Sequence, residues 1–440
     1  MVVSPARKAA FEILLGVERG RAHSDDLLRG KAVAALSAQD RHLTTALVMG
    51  VLRWQIWLDQ QIRAHLDRPK AKLDPEVQIA LRLGAFQLLQ MERIPAHAAI
   101  DESVELAKLA GHRFAARMVN AVLRKVAGAS RGVAANPEAA YPDWMVDRWA
   151  LSYGAETARL ICTDGQTEPV TTIRVTDSRV EEELRQPGIE LNSGRLLRAA
   201  RIVAGGDISA TAAFREGRAR FQDEGSQLIA EIAGPGTSIL DACAAPGGKA
   251  LILAERNPKA RIVACEASPQ RLAHLRERLT ARAGHIECRL GDAAALSDVD
   301  AFDLVLADVP CSGTGTLGRN PEIRHRLKVE DFVRHSERQA AILHTALRVV
   351  QPGGRVVYST CSLEPEENEA VVAKALKGHQ AARILPMQDR IAAMSAEGIL
   401  VEEAAERLRS CISPEGHLRL LPGTFGTDGF FVALLEKAGS

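Results

Sequence analysis

The chain has 440 residues, 46% of them hydrophobic and 25% charged, with 56 Lys plus Arg against 55 Asp plus Glu. That length predicts two or three domains, and the average globular composition excludes a disordered or fibrous chain. No uncharged apolar stretch approaches the ~18 residues that a bilayer span requires. Arg7, Lys8 and Glu12 stand where an export signal would carry its apolar core, so a cytoplasmic protein with no membrane partner is predicted. Seven cysteines without a C-x-x-C pair argue against a disulfide framework and predict no metal site. Nothing in the sequence demands an oligomer, and a monomer is the default expectation.

Charge is unevenly spread. Residues 1–130 hold 19 basic and 13 acidic side chains, a local balance of +6 against about −5 for the remainder, which points modestly to a polyanionic partner. Leu43, Leu47, Gly50, Val51, Trp54 and Leu58 fall on one face of a 3.6-residue period, and Ser37 with Asp40 resembles a capping box before them. Val77, Leu81, Gly84 and Leu88 repeat the spacing. No alternating β-branched run interrupts residues 5–128, so an all-helical domain is predicted over 1–130. Arg113, Arg117 and Arg124 would share one helix face that could meet phosphates. The small-residue stretch Ala127–Ala140 reads as a linker, and 141–234 as a smaller α+β region.

From Thr237 onward, short β-rich runs alternate with helical segments: Thr237–Leu240, Arg261–Cys265, His285–Leu290, Phe302–Ala307 and Arg355–Tyr358. This repetition predicts an α/β domain over 235–440, built on a Rossmann-like doubly wound parallel sheet. In such sheets the ligand sits beyond the carboxyl ends of the strands.

The first of these strands ends in Asp241-Ala-Cys-Ala-Ala-Pro-Gly-Gly-Lys249, a small-residue turn that lets backbone N–H groups approach a ligand. A phosphate-binding loop is excluded, because Cys243 occupies the place of its first Gly and Ala250 follows the Lys. The glycine spacing of a dinucleotide fingerprint is also missing. Glu266 closes the second strand, about 20 residues on, where an acid can bind both hydroxyls of a ribose. Asp292 and Asp308 close the third and fourth. Acids at successive strand ends beside a Gly-rich turn suit an adenosine-containing ligand without phosphate, and S-adenosylmethionine (SAM) meets that description.

Two cysteines follow strands on this same side: Cys311 in Asp308-Val-Pro-Cys-Ser-Gly-Thr-Gly, and Cys361 in Ser359-Thr-Cys-Ser. C5 of a pyrimidine is too weak a nucleophile to attack a methyl sulfonium unaided. Addition of a thiolate at C6 makes C5 enamine-like, so that it can accept the methyl group. Spacing alone does not say which of the two sulfurs attacks.

The segments FQDEGSQL from Phe221, LDACAAPGGKA from Leu240, FDLVLADVPCSGTGTLGRNPEI from Phe302, GGRVVYSTCSLEPEENE from Gly353 and DGFFVALLEK from Asp428 together resemble the RNA 5-methylcytosine methyltransferases of the Sun (Fmu) type. In particular they resemble the bacterial group acting on small-subunit (16S) ribosomal RNA, in which a NusB-like helical domain precedes the catalytic part. Residues 5–128 look like that NusB-like, RNA-binding domain, and YPDWMVDRW from Tyr141 like the entry to the middle region. The resemblance implies a class I SAM-dependent methyltransferase in which Cys243, Ala244, Ala245, Pro246, Gly247, Gly248 and Lys249 wrap SAM. It also implies that Glu266 binds the ribose, that Asp292 lies near the adenine, and that Asp308 lies near the methionine end and the target base. In this family the T-C-S cysteine is the nucleophile, which assigns attack to Cys361 and product release to Cys311, with Asp308 at the cytosine edge.

Four positions depart from the family pattern. Thr176 follows Arg174-Val175 where Asn is usual, and Glu266 replaces an Asp. Gly225 replaces an Ala, and His325 stands where a Trp is common near the substrate. The basic run Arg319, Arg324, Arg326 and Lys328, just past the Cys311 loop, is a candidate grip on RNA phosphates.

Overall fold

The structure is a computed structural model that describes residues 3–20, 22–129, 135–175, 177–280 and 282–439. Residues 130–134 of the expected linker, and the Thr176 departure, lie outside the described residues. The chain divides into two compact units: residues 1–168 with 317–326, and residues 169–316 with 327–440. The 141–234 stretch is therefore split at Glu168, its helical first part belonging to the first unit and its strands to the second.

The first unit is helical, with its longer helices at Pro5–Glu18, Ala38–Arg63, Pro75–Gln90, Ala96–Leu109, Ala116–Ala129, Asp143–Tyr153 and Ala155–Asp164. Ser37 caps the second of these by accepting a hydrogen bond from the Asp40 amide at 3.1 Å. Leu47, Val51 and Leu58 of its predicted apolar face are buried. The two glycines on the predicted faces mark where helices cross. A Cβ on Gly50 would lie 1.9 Å from the Phe86 ring, and one on Gly84 would lie 2.5 Å from Leu123. Arg113, Arg117 and Arg124 are exposed, beside a Phe114 ring that is wholly exposed.

Residues 317–326 form part of this helical unit, which corrects the reading of the basic run. Arg324 is 1% exposed; its guanidinium stacks 3.9 Å from the Tyr141 ring centre. It donates to the carbonyls of Arg53, Ala140, Gly165 and Leu317. Arg326 donates to the Val17 carbonyl at 3.0 Å. The Arg324 guanidinium is thus spent on backbone acceptors, while Arg326 remains exposed and also meets His23 Nδ1 at 3.3 Å. His325 is likewise in the helical unit, where its Nε2 lies 2.9 Å from the Leu52 carbonyl, so it is a packed residue.

That histidine gives a pH test. Burial pushes its pKa down to about 4, with the Leu52 carbonyl opposing. The folded state thus prefers the neutral ring, and its contribution is fully present above the ordinary histidine pKa and is lost as pH falls from about 6.5 toward 4. His325→Gln keeps an N–H donor for Leu52 without the titration. Its urea midpoint relative to the parent protein should rise as pH is lowered from 7 to 5; an unchanged difference would contradict the assignment.

The second unit contains two sheets. Strands β1 (Thr172–Val175), β2 (Glu190–Ser193), β3 (Ala200–Gly205) and β4 (Ala219–Phe221) form an antiparallel sheet in the order β2-β3-β1-β4. Buried ion pairs join it to the larger sheet's helices: Arg174 bonds Glu231 at 2.8 Å and Glu255 at 2.7 Å, and Arg220 also pairs with Glu255. Glu224, 2% exposed, accepts from the backbone N–H groups of Arg195, Leu196 and Leu197. This explains the glutamate inside FQDEGSQL. Gly225 beside it abuts the Phe430 ring, which a Cβ would approach to 2.8 Å.

The larger sheet holds β5 (Ser238–Asp241), β6 (Arg261–Glu266), β7 (Glu287–Leu290), β8 (Phe302–Asp308), β9 (Val350–Thr360), β10 (Ala382–Ile384), β11 (Leu418–Leu420) and β12 (Phe430–Lys437). Its order is β7-β6-β5-β8-β9-β12-β10, with β11 on β12. The first five are parallel as expected. The last strands are not: β12 runs antiparallel to β9, β10 and β11, so the sheet is mixed. Strand order reverses between β5 and β8, the topological switch point at which such sheets bind ligands.

Candidate active site

The turn after β5 leads into the helix Gly248–Arg256. Gly247 has φ 99°, a left-handed conformation costly for any residue with a Cβ, and that Cβ would also come within 2.8 Å of Leu275. A Cβ on Gly248 would press to 3.2 Å against the Gln222 amide. The small residues are thus demanded by packing of the turn itself. Ala244 N donates to the Cys265 carbonyl at 2.9 Å, and Gly247 N to Ala244 O at 2.6 Å, which fixes the loop against β6.

Two acceptors beside this turn are buried without a hydrogen-bond partner among the described residues: Asp241 Oδ2 and Gln222 Oε1. Asp241 is 1% exposed, and burial first, then the Asp308 charge, push its carboxyl up to about 7. Unpaired buried acceptors are costly, so they point to a ligand with donors of its own. The ammonium and ribose hydroxyls of SAM are such donors, and these residues fit it. Neither acceptor was singled out from the sequence. The signal was present only as the first letter of the DACAAPGGK turn and the second of FQDEGSQL.

Glu266 ends β6 and is 5% exposed; its carboxylate accepts from the Ser268 amide at 2.8 Å and lies 3.4 Å from Arg271. Asp292 lies just past β7, is exposed, and accepts from Ala294 N at 3.0 Å and Arg338 at 3.2 Å. Asp308 ends β8 with both oxygens held, one by Lys249 Nζ and the other by Ser359 Oγ, each at 2.7 Å. Burial acts to lower the Lys249 pKa, but Asp308 and Asp241 outweigh it and leave the amine raised, and therefore charged.

The two cysteines come together. Cys311 Sγ and Cys361 Sγ are 3.3 Å apart, on the loops that follow the adjacent strands β8 and β9, and both are half-buried. The hydrogen bond to Cys361, and then burial, push the Cys311 thiol well above its ordinary range. Cys243 is also held well above the ordinary thiol range, chiefly by burial, and Cys265 is pushed up to about 11 by the same cause. Among the described residues no group of three or more metal-ligating side chains is present.

One pairing can be tested directly. Asp308→Asn leaves the charged Lys249 without its partner in a largely enclosed site, and should lower stability by about 1–3 kcal/mol. Asp308→Asn combined with Lys249→Met should recover part of that loss in chemical unfolding. Purely additive effects would show that the two groups do not interact.

Comparison with known proteins agrees with this geometry. The 16S rRNA methyltransferase RsmB/F family matches residues 233–436, and the NusB family matches residues 4–128. The chain is 34% identical to the probable ribosomal RNA small subunit methyltransferase B of Bacillus subtilis (strain 168), over 100% of both chains. It is 31% identical to the ribosomal RNA small subunit methyltransferase B of Xanthomonas campestris pv. campestris, over 98% of this chain and 97% of the other. The crystal structure of PH0851 shares the fold, with a TM-score of 0.79 at 24% identity over 99% of this chain and 100% of that one. With full-length relatives above 30% identity and both family matches in the expected order, the chain belongs to the ribosomal RNA small subunit methyltransferase B family.

Proposed function

We propose that this protein is a SAM-dependent RNA methyltransferase that forms 5-methylcytosine in small-subunit (16S) ribosomal RNA through a covalent bond between Cys361 and cytosine C6. The observation that carries this reading is the pair of free thiols 3.3 Å apart at the ends of β8 and β9, beside the Asp308–Lys249 pair. Methylation of a base nitrogen or a ribose hydroxyl has no use for a thiol nucleophile, whereas C5 of cytosine requires one.

Residues 243–249 with Asp241, Gln222 and Glu266 would hold SAM, with Asp292 toward the adenine. When bound, it supplies an electrophilic methyl group. Cys361, accepting the Cys311 hydrogen bond, adds to C6 as the thiolate. Asp308, its carboxylate fixed by Lys249 and Ser359, takes the cytosine edge and favours a proton at N3 as the negative charge moves into the ring. C5 then carries the electron pair that forms the new carbon–carbon bond. Loss of the C5 proton to solvent water re-forms the C5–C6 double bond, the C6–sulfur bond breaks as the N3 proton also leaves, and the departing Cys361 thiolate is stabilised by the hydrogen bond from the Cys311 thiol.

RNA as the partner is supported by the basic balance of the first 130 residues and by exposed Arg113, Arg117 and Arg124 beside exposed Phe114, where phosphates and a stacked base both find contacts. The relatives whose names specify the small-subunit RNA support that substrate over others.

The reading predicts methyl transfer from labelled SAM to small-subunit ribosomal RNA, with 5-methylcytidine as the modified nucleoside in a mass-spectrometric digest. Cys361→Ala should reduce the rate by ~10³-fold or more, as expected for loss of a covalent nucleophile. Another methylated nucleoside, or a Cys361→Ala protein within tenfold of the parent, would overturn it.

A further inference from the structure

Glu367 is fully buried, and its carboxylate reaches both cysteine loops. One oxygen accepts from the Ser312 amide at 2.9 Å and from Gln339 Nε2 at 2.9 Å. The other accepts from the hydroxyls of Ser312 and Ser362. Ser312 follows Cys311, and Ser362 follows Cys361. The two hydroxyls are themselves 3.1 Å apart, so a single carboxylate gathers the residues next to both sulfurs.

Four hydrogen bonds converge on this carboxylate. The Ser312 amide and the Gln339 amide can only donate. Ser362 Oγ already accepts from the Glu364 amide at 3.0 Å, which directs its hydroxyl hydrogen toward Glu367. Among the described residues Glu367 forms no ion pair, so its carboxylate is held by hydrogen bonds alone. The groups facing Cys311 are Cys361, Glu367 and the phenol of Tyr358, with the Lys249–Asp308 pair beyond Cys361.

We propose that Glu367 is a positioning residue that decides which thiol attacks: it ties the Cys311 and Cys361 loops together and, by its charge, keeps the proton on Cys311. Two neighbouring thiols of ordinary acidity would share the ionised form, and a thiolate on Cys311 would both repel the Cys361 thiolate and compete for C6. Glu367 takes both the amide and the hydroxyl of Ser312, the residue after Cys311, but only the hydroxyl of Ser362, the residue after Cys361, so its charge is tied more closely to the Cys311 loop and biases that choice. The raised Cys311 thiol, to which the Glu367 charge contributes, agrees with this arrangement. The inference deepens the proposed cysteine chemistry, but its test does not need RNA or turnover.

The test follows alkylation of Cys311 by iodoacetamide against pH in full-length Cys361→Ala protein, read by peptide mass spectrometry. Adding Glu367→Gln should move the midpoint down by about one pH unit, because a like charge has been removed. Ser362→Ala in the same background removes one donor and keeps the charge, so its midpoint should stay or rise. A merely structural clamp would loosen the site in both variants and move both midpoints downward. An unchanged midpoint in folded Glu367→Gln, or a fall in Ser362→Ala, would overturn the proposal; the second result remains decisive if Glu367→Gln does not fold. With Cys361 present, Glu367→Gln should lower the methylation rate at least tenfold and Glu367→Asp should recover part of it. Loss of methylation in the parent protein on every RNA would instead count against the proposed function and leave the alkylation result standing.

Discussion

In a parallel ladder both strands present their carboxyl ends on one side, and here that pairing sets Asp308 of β8 directly opposite Ser359 of β9. Everything chemical in the second unit follows from this register. Ser359 can hold one oxygen of Asp308 because they are ladder partners, and the loops leaving those two positions bring Cys311 and Cys361 to 3.3 Å. A slip of one residue would turn one set of side chains to the opposite face and separate them. β12 helps to fix it, since it pairs antiparallel along β9 from Arg355 to Thr360.

The same register sits beside the switch point between β5 and β8, where Lys249, in the helix that follows the Gly-rich turn, reaches Asp308 at the end of β8. The proximity of the second sulfur and burial raise the Cys311 thiol, and burial is the chief cause of the raised Cys243 and Cys265 thiols. Position in the sequence alone would not distinguish these four thiols.

What was legible in the sequence was whatever depends on local periodicity or on chain order. The apolar face from Leu43 to Leu58 predicts its helix and cap correctly, and the strand ends carrying Glu266, Asp308 and the two cysteines follow from β-rich runs separated by helices. The antiparallel β12 was not legible as such, because its Phe430–Leu435 run is continuously apolar and gives no sign of direction. The role of residues 317–326 was hidden for a different reason. Arg324 reads as a surface cation until a non-local Tyr141 ring and four backbone carbonyls enclose it. Likewise Asp241, Gln222 and Glu367 matter through unpaired or shared hydrogen bonds that only three-dimensional packing creates.

The central claim is that Cys361 bonds to a cytosine in small-subunit ribosomal RNA while Cys311 resolves the adduct. Its most direct measurement uses that RNA transcribed with 5-fluorocytidine, whose C5 fluorine blocks the final deprotonation, incubated with SAM and resolved on a denaturing gel. The account predicts a methyl-bearing covalent complex for the parent protein and for Cys311→Ala, none for Cys361→Ala, and a tryptic RNA-linked peptide containing Cys361. A complex that survives Cys361→Ala and disappears in Cys311→Ala would reverse the two roles and contradict the account.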